Sequence, residues 1–250
     1  MDTTLAKGLA LLDWLVRQQK SCRLTDIAKA FDIVRSRAHR ILQTLVECGW
    51  VVQDTVTRTY RPSLKLFELG SMVEASLDLT ARLHRHLEVL AADTGETIHL
   101  AALDGAEIVY LDKFDSPLPV AAYSRIGGRA PAYCVATGKA LLAALDHDVA
   151  ALQTLLGPLQ AHTPNTITSI DVLHADLNQT RERGWAVNRE EWRLGVCGLG
   201  APVFNALGKP VAAVGMSVPA IRFGSAQAKS LANRLAVCAR DASQALGYNP

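Results

Sequence analysis

Cysteine is scarce: the 250 residues contain five, at positions 22, 48, 134, 197 and 238. An odd, scattered set holds neither a disulfide framework nor a Cys-x-x-Cys zinc site, so buried reduced thiols are the ordinary reading. Aromatic residues make up only 6% of the chain, and no apolar run reaches the roughly 18 residues that a membrane span needs. The opening stretch lacks the basic start, apolar centre and small-residue cleavage site of a signal peptide. A cytoplasmic protein with no membrane partner is therefore expected. Catalytic signatures are missing too: there is no Gly-x-Ser-x-Gly, no His-Glu-x-x-His and no glycine-rich phosphate loop. Cys134 or Cys197 with His99 would be the nearest approach to a nucleophile pair. Glu190 and Glu191 are adjacent, so on a strand they point to opposite faces and cannot act jointly as acid and base. His84 and His86 diverge on a helix and make poor co-ligands. No catalytic residue, metal or cofactor is expected.

What is present is globular: 49% hydrophobic and 20% charged residues, in a length that suits a small domain joined to a medium one. The charge is uneven. Residues 1–62 carry ten Lys and Arg against six Asp and Glu, while the net charge of the whole chain is only +2. That excess points to a polyanion partner for the front of the chain.

Leu5, Leu9, Leu12, Leu15 and Val16 recur at helical spacing and predict a first helix ending near Gln18. A second, short helix follows Thr25 as its cap, with Ile27, Ala28 and Phe31 inward. A third runs from about Arg35 to Cys48, with Ala38, Ile41, Leu42, Leu45 and Val46 inward and Gly49 as its stop. Two short helices with a tight link make a helix-turn-helix candidate. Arg35, Ser36, Arg37, His39 and Arg40 crowd the first turns of the third helix with no acid among them, where a recognition helix meets base edges. Two β-prone stretches around Asp54 to Thr57 then predict a wing, with Arg58 and Arg61 available to phosphate. A solvated three-helix bundle would share the helices. It would not require a basic helix followed by a basic hairpin.

At this point the chain resembles the DNA-binding domain of the IclR family of bacterial regulators. The resemblance rests on the run Leu24 to Trp50, on Tyr60-Arg61-Pro62 and on Leu66 to Gly70. Asp32 stands where that family usually has Gly, and Arg37 where it usually has a small hydroxyl residue, so the bases read differ from those of better-known members.

Past Leu66, a helix to about Ala75 and another from Leu79 to Ala92, capped by Asp78 and stopped at Thr94-Gly95, predict a stiff linker. Strands are expected at Thr97 to Leu103 and Glu107 to Lys113 around Asp104-Gly105, then at Trp185 to Arg189, Leu199 to Asn205 and Val211 to Val218. Helices fill Ala136 to Leu145, Ile170 to Arg183 and Ser225 to Leu246. The expected architecture is α/β (α+β): a winged helix-turn-helix in residues 1–62, a helical linker in 63–78, and a mostly antiparallel sheet flanked by helices in 79–250. The family resemblance continues through Gly95 to Leu100, Arg125 to Pro131, Thr137 to Ala143, Thr163 to Ile167, Arg183 to Glu191 and Ala201 to Asn205. It implies a GAF-like effector domain and a homodimer or tetramer on palindromic double-stranded DNA; symmetric half-site reading also calls for two wings.

Val135 to Ala140 opens a helix with small residues, so the N–H groups of Ala136 and Thr137 suit an anion. The alternative is that Thr137 caps the helix and Gly138 permits close packing. The resemblance assigns this turn to an effector pocket, together with Asn188, Val196, Gly198, Gly215 and Ser217. Asn188 replaces a frequent acid, Gly198 a Cys or small residue, Gly200 an Ala and Gly215 a Ser. These departures imply an enlarged site with altered polar contacts, so a small organic acid is the expected effector but not one of the family's small keto acids by default. Tyr123 and Tyr133 either stack on the ligand or pack as half-buried rings. The function expected is an effector-controlled transcriptional regulator of a catabolic operon; an effector-independent architectural DNA binder and an enzyme with a fused DNA-binding domain are the alternatives.

Overall fold

The computed structural model describes residues 3–77, 79–119 and 124–249. Two compact units emerge, Met1–Leu77 and Asp78–Pro250.

In the first unit, α1 (Thr3–Arg17), α2 (Leu24–Ala30) and α3 (Arg35–Glu47) precede a two-stranded antiparallel hairpin of β1 (Val51–Gln53) and β2 (Tyr60–Pro62), and α4 (Lys65–Leu77) ends it. Leu11, Leu12, Leu15, Ile27, Leu42, Val51 and Tyr60 form the core. The α1 stripe differs from expectation: Leu5, Leu9 and Val16 lie exposed, and Leu11 is buried in their place. The helix carries two apolar edges, and its spacing alone does not say which one meets α2 and α3. Helix α2 starts two residues earlier than expected. Arg23 is its N-cap, and Asp26 rather than Thr25 meets the free end, accepting the Arg23 N–H at 3.4 Å. Between α2 and α3, Asp32 sits at φ 49, a left-handed turn that Asp tolerates better than most residues. The wing tip is built on Asp54, whose Oδ1 accepts the N–H of Val56 at 2.9 Å and of Thr57 at 2.7 Å.

The second unit opens with α5 (Leu79–Thr94), which Gly95 stops at φ 68; Asp78 lies outside the described residues. A six-stranded antiparallel sheet follows in the order β5-β4-β3-β8-β7-β6, from β3 (Thr97–Asp104), β4 (Glu107–Phe114), β5 (Arg129–Pro131), β6 (Ala186–Arg189), β7 (Val196–Phe204) and β8 (Pro210–Pro219). Side chains alternate across it. One face, with Leu100, Val214, Met216 and Leu199, packs on α5 and on α9 (Ser225–Ala245). The other carries Ala101, Ala213 and Ala186 and meets α6 (Ala136–Leu145) and α8 (Ile170–Arg183). The residues there are small, so α6 lies close to the strands. Gly200 and Gly138 mark the approach: a Cβ at 200 would lie 2.6 Å from Thr137 N, and one at 138 would lie 2.7 Å from the Ala132 carbonyl carbon. The short edge strand β5 and the helix α7 (Val149–Leu156) were not anticipated from the sequence.

Candidate functional site

The first turns of helix α3 are ringed by cationic and polar side chains. Arg35, Ser36, His39 and Arg40 are exposed and Arg37 half-buried, while Ala38 and Leu42 turn into the core. Gln43, Thr44 and Glu47 extend the exposed side toward the helix end. Among the described residues, no hydrogen bond or salt bridge joins Arg35, Arg37 or Arg40 to an acid. Such guanidiniums remain available to phosphate and base acceptors. On the hairpin, Arg61 is exposed on β2 and Arg58 stands at the tip with φ 58, held by its N–H to the Asp54 carbonyl at 3.0 Å.

In the sheet unit, the turn before α6 gathers the other group of expected residues. Register sets Asn188 beside Gly198, Gly198 beside Ser217, Gly200 beside Gly215, and Gly215 beside His99. All of these side chains therefore share the face that looks toward α6. Val196, two residues before Gly198, shares it and is half-buried. A Cβ at 198 would sit 3.6 Å from Ala136 Cβ and 3.9 Å from Asn188 Cβ, so those three positions converge. Val135 is the N-cap of α6 and lends no side chain. Thr137 does not cap the helix; it is 1% exposed, with a buried Oγ1 that has no partner among the described residues.

The expected enlargement does not occur at two of the glycines. The space given up at Gly200 is taken by the backbone of Ala136 and Thr137, and that at Gly215 by the His99 ring and the Thr137 methyl. His99 was not among the expected effector residues. It is 4% exposed, stands edge-on to Tyr110 with centroids 4.9 Å apart, and has a buried Nδ1 without a partner among the described residues. Burial, reinforced by the Lys113 charge, lowers its pKa to about 4, so the ring is neutral. Only its placement beside a glycine marks it, and that needs the strand order.

Asn188 is fixed from the other side. Its Oδ1 accepts the Glu191 N–H at 2.8 Å. Glu190 does not continue the strand: it turns left-handed at φ 59, and its Oε1 accepts the Gly195 N–H at 2.6 Å. Glu191 instead goes inward, where Lys139 Nζ, 1% exposed, lies 2.9 Å from both Glu191 Oε1 and Asp176 Oδ2. Burial raises the Glu191 pKa, against the pull of Lys139. The two acids are thus sent to different partners by a backbone turn, not by the strand alternation expected from the sequence. Thr163 and Thr166 donate to the Glu190 and Glu191 carbonyls at 2.7 and 2.6 Å. Tyr133 commits its hydroxyl to that same loop, accepting the Gln160 N–H at 2.9 Å and lying 3.1 Å from His162 Nε2. Tyr123 lies outside the described residues. Cys197 and His99 sit on opposite faces of the sheet, so those two do not pair, and burial pushes the Cys134 thiol up to about 12, which disfavours its thiolate.

A cleft of about 300 Å³ opens toward the far end of α6, walled by residues such as Ala140, Ala144, Ala201, Phe204 and Tyr248. Its two buried hydroxyls are already used: Ser243 donates to the Ala239 carbonyl and accepts the Phe204 N–H, and Thr180 accepts from Arg183 Nη2 at 3.1 Å. The α6 N-terminus offers a polar ligand more unmatched groups. Among the described residues, no cluster of three His, Cys, Asp or Glu is placed to hold a metal, and no helix is long and apolar enough to cross a membrane.

A winged helix whose α3 arginines have no acid partner among the described residues, together with a helix-flanked antiparallel sheet, defines a DNA-binding regulator of two units. Comparison with known proteins makes this specific. Residues 4–55 match the IclR helix-turn-helix domain and residues 72–244 the bacterial transcriptional regulator IclR C-terminal domain. The HTH-type transcriptional regulator XynR of Escherichia coli is 36% identical over 97% of this chain and 96% of its own length. KdgR of the same organism is 36% identical over 93% of this chain and 88% of its own. The crystal structure of IclR from Thermotoga maritima covers 99% of this chain and 100% of its own at a TM-score of 0.80 and 34% identity. The chain belongs to the IclR family of transcriptional regulators.

Proposed function

We propose that this regulator reads a palindromic operator with α3 and the wing, and that a small organic carboxylate bound at the α6 N-terminus controls that reading. Residues 1–62 are the DNA-binding domain, 63–78 the linker and 79–250 the effector domain. Arg35, Ser36, Arg37, His39 and Arg40 lie in the major groove, and Arg58 and Arg61 on the backbone. The observation that carries this is the α3 face, where exposed arginines have no acid partner. Two copies act together. Exposed Leu5 (62%), Leu9 and Val16 on α1, with Phe67 (76%) and Met72 on α4, form apolar surface that suits burial in a second copy. The protein works in the cytoplasm, on a catabolic operon, without catalysing a reaction.

Mobility shifts at several salt concentrations test the DNA assignment. Arg37→Ala relaxes base preference, by about 1–3 kcal/mol at the base it reads. Arg58→Ala weakens all sequences alike and lowers the salt slope by about 1 per phosphate lost. Normal binding by the double variant to the native promoter would remove α3 and the wing from the interface. For the effector turn, Ala136, Thr137, Asn188, Val196, Gly198, Gly215 and Ser217 supply the lining, and Thr137→Trp abolishes the response while DNA binding without effector persists.

A further inference from the structure

Among the described residues, two buried polar atoms have no hydrogen-bond partner, Thr137 Oγ1 on the effector turn and His99 Nδ1 on the neighbouring strand β3. Their side chains border one point, the place of a Cβ at Gly215, through the His99 ring edge and the Thr137 methyl. His99 comes into register with Gly215, where a Cβ would lie 2.6 Å from His99 Cδ2, with Nε2 and the Thr137 methyl nearer still. The imidazole therefore fills the place of a side chain at 215, directly against the first turn of α6. An alanine or serine at 215 would expel it.

The backbone and amide groups at the site lean toward donors. The first N–H groups of α6 are donors by the geometry of a helix start. Asn188 has its oxygen engaged by the Glu191 N–H, and its amide NH2 remains to donate. The neutral His99 imidazole, like the Thr137 hydroxyl near it, carries both a donor and a lone pair. We propose that His99, admitted by the missing side chain of Gly215, is the specificity-determining residue that reads a hydroxyl of the effector, and that the effector is a hydroxycarboxylate whose carboxylate lies on the α6 N-terminus. The proposal rests on the effector-turn reading above. A site built to hydrogen-bond a hydroxyl rejects the analogue that lacks it, because its own buried polar group is then left unpaired.

The test is binding of matched pairs (glycolate against acetate, lactate against propionate, gluconate against hexanoate) to the full chain, by calorimetry and thermal shift. At least one hydroxy acid binds wild type tenfold or more tightly than its deoxy partner. His99→Leu, which keeps bulk but no polar atom, brings that ratio near one, and Gly215→Ala does the same by displacing the ring. His99→Gln, which retains donor and acceptor, keeps the ratio within a few fold. A ratio unchanged in His99→Leu overturns the assignment, as does a panel in which the deoxy acids bind equally well or none of the acids binds. If acids bind wild type and Thr137→Trp alike, the effector turn itself has been misplaced; if Thr137→Trp abolishes binding while His99→Leu preserves the ratio, only the role of His99 fails.

Discussion

Lys139→Met is the substitution that most directly probes how the effector turn is held. Lys139 sits on the first turn of α6, and its ammonium lies 2.9 Å from carboxylate oxygens on α8 and on the loop after β6. It is 1% exposed. Without it Asp176, half-buried, keeps Arg183 at 4.0 Å, but the buried Glu191 carboxylate loses its cation, and removing one partner of a buried pair costs about 3–5 kcal/mol, a large part of the roughly 5–15 kcal/mol that holds a domain folded. Most of that cost is charge left unpaired. Burial already raises the Glu191 pKa above its ordinary 4.5, and Lys139 opposes the rise; without Lys139 the carboxyl stays protonated to higher pH. A raised acid pKa contributes stability below the unfolded value and loses it as pH climbs. The deficit of Lys139→Met is therefore smallest near pH 5 and grows toward pH 8. Urea unfolding followed by tryptophan fluorescence at several pH values measures it, and Lys139→Met with Glu191→Gln recovers at least half of the loss at pH 8. A single variant within about 1 kcal/mol of wild type at pH 8, or a deficit that does not depend on pH, would refute the reasoning.

Three further outcomes are open to measurement. His99 has a pKa of about 4 against an ordinary 6.5, so its neutral form contributes stability that is complete above about pH 6.5 and fades as pH falls toward 4; His99→Leu flattens that acid limb by up to roughly 3 kcal/mol in urea titrations, and identical limbs would show the ring to be exposed. Gly200→Ala drives a Cβ to 2.6 Å from Thr137 N and lowers stability by about 1–3 kcal/mol, whereas Gly198→Ala, with 3.3 Å to the Met216 carbonyl oxygen, costs less; equal melting temperatures would contradict the close approach of α6. Asp32→Val, at φ 49, costs about 1–2 kcal/mol, while Asp32→Gly leaves thermal stability equal or higher; the reverse order would mean that the turn is not left-handed.

How far the fold was legible follows from the range of each signal. Helices α2 and α3, the basic run on α3 and the Asp104-Gly105 hairpin depend on neighbours a few residues apart, and the sequence reading located them closely. Strand β5 has three residues and exists only because β4 is there to pair with it, so no periodicity announces it. Helix α7 is two turns capped by Asp148, which accepts the Ala151 N–H, too short for an apolar stripe to stand out from a loop. Glu190 reads as strand until its left-handed turn redirects Glu191 to Lys139. The site is harder still, because its shape is set by which strands are neighbours. Taken one at a time, glycines at 200 and 215 look like lost volume. Placed in the sheet, one admits a helix backbone and the other an imidazole from β3. That assignment depends on β3 lying beside β8, a pairing of segments far apart in the chain that is decided by the packing of both faces together. The residues of a ligand turn can be listed from a family pattern, but what fills the space between them is a property of the folded sheet.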